Sequence, residues 1–202
     1  MSETTILEID SKHTSPKIKL PFSKYDHISV LYVIAKGLAD AGLLDNYVEL
    51  GVSKGACFNL IAPLAKHAYA VDINKDTGRY IKDNKNMTWY RGRGTKFFGV
   101  HGDIKFDLIF IDAKHAYSDG LDDFNAAVPH MNPNCLIIMH DTYPPSEEFT
   151  DIKYCGNVHR AATHIRKHYS SQFEVLTLPF YYGLTIIRNS LGKQTLWKVP
   201  SA

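Results

Sequence analysis

The sequence predicts an α/β fold: a doubly wound, mostly parallel sheet that closes with an antiparallel C-terminal hairpin. Three observations predict it. Short strands alternate with helical patterns from about residue 47 to residue 139. Those strands are apolar on both faces, as in a parallel sheet covered by helices on each side. The last two strand segments, Phe173–Leu178 and Gly183–Arg188, are separated by only about four residues. That gap is too short for a helical crossover, so the two must form a hairpin.

Each element has its own reason. The first twenty or so residues are polar, with Lys12, Lys17, Lys19, Pro16 and Pro21, and residues 1–26 read as an arm or lid. Residues 27–202 read as one domain. From His27 to Leu44, Ile28, Leu31, Ile34, Ala35 and Leu38 recur at helical spacing, and Gly42 lies near the helix end. Tyr47–Leu50 is a strand ending at Gly51, and a helix pattern runs from Gly55 to about Lys66. Ala68–Val71 is a strand ending at Asp72, followed by a helix pattern from about Lys75 to Asn84. Met87–Tyr90 is a weaker strand, and Phe106–Ile111 a nearly all-apolar one ending at Asp112. A helix follows from about Asp119 to Val128, then the strand Leu136–Met139 ending at His140-Asp141, then a helix from about Val158 to Tyr169 before the hairpin.

Composition narrows the function classes. The 202 residues are 45% hydrophobic and 22% charged, which excludes a disordered, collagenous or coiled-coil chain. No apolar run reaches the ~18 residues of a membrane span. Net charge is +2, too balanced to make nucleic acid or an anionic membrane the main partner. The three cysteines, Cys57, Cys135 and Cys155, form no CxxC pair, so neither a disulfide framework nor a cysteine zinc site is expected. Residues Met1–Thr5 lack a basic stretch followed by an apolar one. The expectation is a chain without a secretory leader, in a reducing cytoplasmic setting.

In an open α/β sheet, ligands bind at the carboxyl ends of the strands. The candidates are therefore Gly51, Asp72, Arg91 to Gly94, Asp112 and His140-Asp141. Acids at strand ends are common in turns, but three on one rim point to a site. In the first turn, Glu49-Leu50-Gly51-Val52-Ser53-Lys54-Gly55-Ala56-Cys57, Gly51 permits a tight turn and Gly55 a close approach of backbone to ligand. Ser53 breaks the GxGxxG fingerprint of a dinucleotide site, and Glu49 would repel a pyrophosphate while tolerating a cationic or hydroxyl-bearing ligand. Asp72 can accept both ribose hydroxyls of a nucleoside, which suits NAD and S-adenosylmethionine alike. His115 lies three residues past a strand end. An imidazole titrates near 6.5 in water, so it can take a hydroxyl proton near neutral pH. His159, His164 and His168, interleaved with Arg160, Arg166 and Lys167, read as a solvated basic helix face.

Glu49-Leu50-Gly51-x-x-x-Gly55, the acid at Asp72 and the run Phe106–Asp112 together resemble the class I S-adenosylmethionine-dependent methyltransferases over about residues 27 to 190. The resemblance implies a Rossmann-like, seven-stranded methyltransferase fold with its last strand antiparallel. Asp112-Ala113-Lys114-His115 and His140-Asp141 narrow it to small-molecule O-methyltransferases of the catechol and macrolide-sugar types. It implies that Gly51, Ser53 and Cys57 line the methionine end of the cofactor, with Glu49 and Gly55 in the same turn. Asp72 would take the ribose, and Ile73 would pack on the adenine. Arg91 to Gly94 would flank the adenine as well. Asp112 and Asp141 correspond to metal ligands, and His115 to the general base. The chain departs at the third ligand: the catechol type has Asn where Thr142 stands, and the sugar type has Glu where His140 stands. His140 disfavours Mg²⁺, so the divalent cation stays open between Mg²⁺, a transition metal and none.

The function expected is methylation of a small-molecule hydroxyl, sugar or phenol, selected by the N-terminal arm and the loop from Tyr143 to Gly156. The alternative is a nucleoside-binding or S-adenosylmethionine-binding module without methyl transfer. A homo-oligomer is left open, since many relatives are dimers.

Overall fold

The computed structural model describes residues 26–82 and 85–190. The arm or lid expected over residues 1–26 falls outside them, apart from Asp26. Seven strands form one sheet: β1 (Asn46–Leu50), β2 (His67–Asp72), β3 (Met87–Arg91), β4 (Phe106–Ile111), β5 (Met131–His140), β6 (Phe173–Leu178) and β7 (Leu184–Asn189). Their order is β3-β2-β1-β4-β5-β7-β6. The pairs of β1 to β5 are parallel, whereas β7 runs antiparallel to β5 and to β6. This is the mostly parallel, doubly wound sheet that the sequence predicts. Strand order reverses between β1 and β4, the switch point where such sheets bind ligands.

Among the described residues, five helices cover the sheet: α1 (His27–Asp40), α2 (Phe58–Ile61), α3 (Gly94–Val100), α4 (Tyr117–Ala127) and α5 (His159–His168). Asp26 caps α1 by accepting from the Ser29 backbone at 2.9 Å, and Ser29 returns a bond to the Asp26 N–H. Two apolar clusters make the core. One joins α3, α4 and α5 to the sheet through Phe97, Phe98, Phe106, Phe124 and Ile165. The other joins α1 and α2 to the opposite face through Leu31, Tyr47, Phe58, Ile61 and Phe110. Among the described residues, no helix is long and apolar enough to cross a membrane.

Four elements differ from the sequence reading. The helix expected over Gly55–Lys66 is a single turn, α2, followed by a 3₁₀ turn at Ala62–Leu64. Pro63 lies at the start of that turn and lacks the N–H that a longer α-helix would need. The helix expected over Lys75–Asn84, whose last two residues lie outside the described ones, is a 3₁₀ turn at Thr77–Tyr80. Thr77 and Gly78 are poor helix formers, and Gly78 packs so tightly on Trp89 that a Cβ would stand 2.9 Å from its indole nitrogen. Helix α3 was not foreseen: seven residues that include Gly94 and Gly99 carry a weak pattern, and burial of Phe97 and Phe98 stabilises them instead. Strand β5 starts at Met131 rather than Leu136, because Met131 pairs with Phe106 across a register shift.

Candidate functional site

The β1–α2 turn opens the site. Gly51 has φ +88, and a Cβ there would stand 2.1 Å from the Asp112 carbonyl oxygen, so only glycine lets β1 and β4 end side by side. Asp72 at the end of β2 orders the neighbouring turns. Its Oδ2 accepts from the Ser53 N–H at 2.8 Å, and its Oδ1 from the Asn74 N–H at 2.8 Å. Among the described residues, the non-glycine residues at positive φ are Ser53, Asp141, Tyr181 and Tyr182, all on this rim. Backbone strain of that kind, roughly 1–3 kcal/mol per residue, collects at functional sites.

A cavity of about 360 Å³ lies over the ends of β1, β2, β3 and β4. Of the expected cofactor residues, Gly51, Ser53, Asp72, Ile73 and Asp112 line it. Gly92, Arg93 and Gly94 from the turn after β3 line it too, as do Asp119, Asp122 and Asp123 of α4, which sequence reasoning passed over. The signal for these α4 acids was three aspartates within one helical stretch behind Asp112, a pattern that also fits a solvated helix face.

Glu49, Gly55 and Cys57 do not line the cavity. Gly55 donates to the Val52 carbonyl and abuts the Asn59 side chain instead. Glu49 is 2% exposed and accepts the Tyr47 hydroxyl at 2.6 Å, with the Cys57 thiol on its other side. Burial pushes its carboxyl up to about 8, against the opposing hydrogen bonds from Tyr47 and Cys57. Burial and the charge of Glu49 raise the Cys57 thiol as well.

A second cluster forms where β4 and β5 end. His115 Nε2 lies 3.0 Å from Asp141 Oδ2, and its Nδ1–H donates to the Tyr154 carbonyl. His140 is arranged in the same way. Its Nε2–H donates to the Tyr181 carbonyl at 2.9 Å, and its Nδ1 lies 3.2 Å from Asp112 Oδ1 and 3.6 Å from Asp141 Oδ1. A carbonyl can only accept, so each ring has one N–H fixed and turns its other nitrogen toward carboxylates. His27 stacks on His140 with centroids 3.9 Å apart. No sequence pattern pointed to His27, because its partner lies more than a hundred residues away.

The electrostatics follow from this packing. Burial pulls the His140 imidazole down, but the hydrogen bond and charge of Asp112, then the charge of Asp141, raise it above its ordinary value. Burial alone would raise Asp112, yet His140, His27 and His115 hold it below the ordinary carboxylate value. Burial, with the charge of Asp112, keeps Asp141 above that value. Burial pulls His27 down, and the charge of His140 pulls the same way. Asp112, His115 and Asp141 offer ligand atoms within 4.8 Å of one another, and so do His27, Asp112 and His140.

The remaining aromatic and basic segments resolve locally. Phe97 and Phe98 are core, while Tyr181 and Tyr182 are exposed in the β6–β7 turn. The basic face of α5 is only partly solvated: the Tyr117 hydroxyl meets His164 Nδ1 at 3.0 Å, and His159 Nδ1 is buried.

Residues 48–142 match a family described as a methyltransferase domain. Among curated proteins, none matches the chain. Solved structures do. A candidate caffeoyl-CoA O-methyltransferase from Staphylococcus aureus is similar with a TM-score of 0.66 at 18% identity, over 85% of this chain and 86% of that one. The O-methyltransferase TomG from Streptomyces achromogenes, solved with S-adenosylmethionine, is similar with a TM-score of 0.63 at 15% identity, over 87% and 83%. MycE of the mycinamycin biosynthetic pathway, solved with Mg, S-adenosylhomocysteine and mycinamycin VI, is similar with a TM-score of 0.55 at 15% identity, over 86% of this chain and 56% of that one. At these identities the shared property is the fold.

The fold is the Rossmann-like one of the class I S-adenosylmethionine-dependent methyltransferases, and the chain resembles that class. Its segment from 48 to 142 is the part that the methyltransferase domain model matches.

Proposed function

We propose that the protein is an S-adenosylmethionine-dependent O-methyltransferase that acts on the hydroxyl of a small molecule, with His115 as general base. The observation that carries the reading is one rim: the Gly51–Asp72 cavity sits beside the His115–Asp141 pair, and Asp112 borders both. Bound S-adenosylmethionine supplies an electrophilic methyl group on a sulfonium. In this reading Asp72 accepts the ribose hydroxyls, Ile73 covers one face of the adenine, and Gly51 and Ser53 face the methionine end.

His115 Nε2 takes the proton of the acceptor hydroxyl. The resulting imidazolium keeps its Nδ1–H on the Tyr154 carbonyl and gains an Nε2–H directed at Asp141, 3.0 Å away. Asp141 thus stabilises the charge that His115 acquires. A positioned base of this kind contributes about 10²- to 10⁴-fold, and alignment of the two reactants adds several kcal/mol.

A divalent cation fits the same cluster. Asp112, Asp141 and His140 Nδ1 would hold it, with the Tyr181 carbonyl fixing the His140 ring from behind. A mixed nitrogen and oxygen donor set suits Mn²⁺, Co²⁺ or Zn²⁺ better than Mg²⁺. Such a charge would lower the pKa of an acceptor hydroxyl.

The test is calorimetric titration with S-adenosylhomocysteine, followed by methyl transfer to a panel of phenols and sugars. Micromolar binding with transfer to at least one hydroxyl acceptor is expected. Absence of S-adenosylhomocysteine binding would overturn the reading. Binding without transfer to any acceptor would favour a module that only holds the nucleoside.

A further inference from the structure

A second cavity, of about 620 Å³, opens at the residues that follow Asp141. Residues 142–144 after β5, one face of α5 and the end of β6 wall it. It therefore lies on the same rim as Asp112 and Asp141. The two cavities have opposite character. Five aspartates line the first, against Arg93 and Lys114. Among the described residues no carboxylate lines the second, whereas Arg166 and His159 do.

The hydrogen bonds around it run one way. Arg166 Nη2 donates to Thr177 Oγ1. The Thr177 and Thr185 hydroxyls are 2.9 Å apart, and Thr185 donates to Thr142 Oγ1 at 2.8 Å. A hydroxyl has one proton to give. That of Thr185 goes to Thr142, so Thr177 must donate to Thr185, and the Thr142 proton is left to point elsewhere. Thr142 lines the cavity. The other N–H groups of Arg166 make no further hydrogen bond among the described residues. His159 Nδ1 also has no hydrogen-bond partner among them, but it is fully buried and so is not offered to the cavity. The Thr163 hydroxyl is not available, since it donates to the His159 carbonyl at 3.0 Å.

A wall of unspent donors, without a carboxylate, is matched to an oxyanion. A neutral sugar face would bring its own donors and find no charged acceptor. An arginine fork pairs two phosphate oxygens at once, and a phosphate monoester has a third oxygen for a hydroxyl. We infer that the second cavity is a subsite for a phosphate monoester on the methyl acceptor, held by Arg166 and Thr142. Its link to the reaction rests on the methyl-transfer reading: Thr142 lines the cavity and directly follows Asp141, which His115 meets at 3.0 Å. Position 142, where the catechol type has Asn, thus serves the acceptor.

The experiment is an amide NMR titration of the whole chain, saturated with S-adenosylhomocysteine, using phenyl phosphate as probe and phenol as neutral control. Phenyl phosphate is expected to shift the amides of Thr142, Thr163 and Thr177, and phenol at equal concentration is not. Arg166→Gln should weaken phenyl phosphate at least tenfold, Thr142→Val should weaken it by a smaller factor, and Arg166→Lys should recover part of the loss. Calorimetry with S-adenosylhomocysteine on the same variants should match wild type, since neither residue lines the first cavity. Equal shifts from phenol and phenyl phosphate, or wild-type phosphate affinity in Arg166→Gln and Thr142→Val, would overturn the subsite. A wild-type chain that binds phenyl phosphate but not S-adenosylhomocysteine would overturn the methyl-transfer reading alone.

Discussion

His115 and Asp141 meet through a single pair of atoms, Nε2 and Oδ2, 3.0 Å apart, while the other nitrogen of the ring is fixed on the Tyr154 carbonyl. The imidazole therefore has one orientation and one free site for a proton. His115→Ala should lower kcat by about 10²-fold or more while S-adenosylhomocysteine affinity stays at the wild-type value. Single-turnover rates beside calorimetry would check this, and unchanged turnover would remove His115 from the role of base.

Asp72 uses both carboxylate oxygens on backbone N–H groups of Ser53 and Asn74, and it lines the cofactor cavity. Asp72→Ala removes a charged acceptor from ligand and from both turns. Hydrogen bonds to charged groups are worth ~1.5–3 kcal/mol, so S-adenosylhomocysteine binding should weaken by about 10- to 100-fold. Equal affinity in the variant would count against Asp72 as the ribose acceptor.

The buried Glu49 makes stability depend on pH. Its folded pKa is about 8, above the value of 4.5 taken for an unperturbed carboxyl. A carboxyl raised on folding contributes stability that is complete below the unfolded value and is lost as pH rises toward the folded one. Wild type should thus lose on the order of a few kcal/mol between pH 4.5 and pH 8 from this group. Glu49→Gln should flatten that part of the profile. Urea unfolding at several pH values would show it, and parallel profiles for the two proteins would refute it.

If Asp112, Asp141 and His140 hold a cation, affinity should follow the donor set. Mn²⁺ or Co²⁺ should bind more tightly than Mg²⁺ in calorimetry without acceptor. Asp141→Asn should weaken Mn²⁺ at least tenfold. The Co²⁺ visible spectrum should report nitrogen ligation in wild type and lose it in His140→Ala. Indifference to every cation would confine the cluster to proton chemistry.

Gly51→Ala tests the closeness of β1 and β4. The new Cβ would stand 2.1 Å from the Asp112 carbonyl, at a φ of +88 that L side chains rarely adopt. The substitution should destabilise the chain by more than 1 kcal/mol and open the cofactor cavity. Thermal unfolding with and without S-adenosylhomocysteine measures both effects.

The sheet was legible because its strands are short, apolar and spaced by helices, and a five-residue β6–β7 turn leaves no room for a crossover. Gly51, Ser53, Asp72, Ile73 and Asp112 were legible for a related reason: each stands at or just past a strand end, and strand ends share one rim. Local sequence could not announce α3, whose two glycines weaken any helical pattern until Phe97 and Phe98 are buried. It also could not show that Glu49 and Cys57 face inward, because their burial is decided by how β1 and α2 pack against α1 and the neighbouring strands.

Residue type and order by themselves determined the parallel core, the antiparallel ending and a ligand rim rich in acids. Only the tertiary structure decided the pairings on that rim: His27 on His140, His115 on Asp141, and Thr142 on Thr185. Those contacts join residues 26 to 113 positions apart in the chain, in register only after the strands have been laid side by side. A side chain's chemistry is set by its neighbours' charge and by its exclusion from water, and neither is a property of the linear sequence.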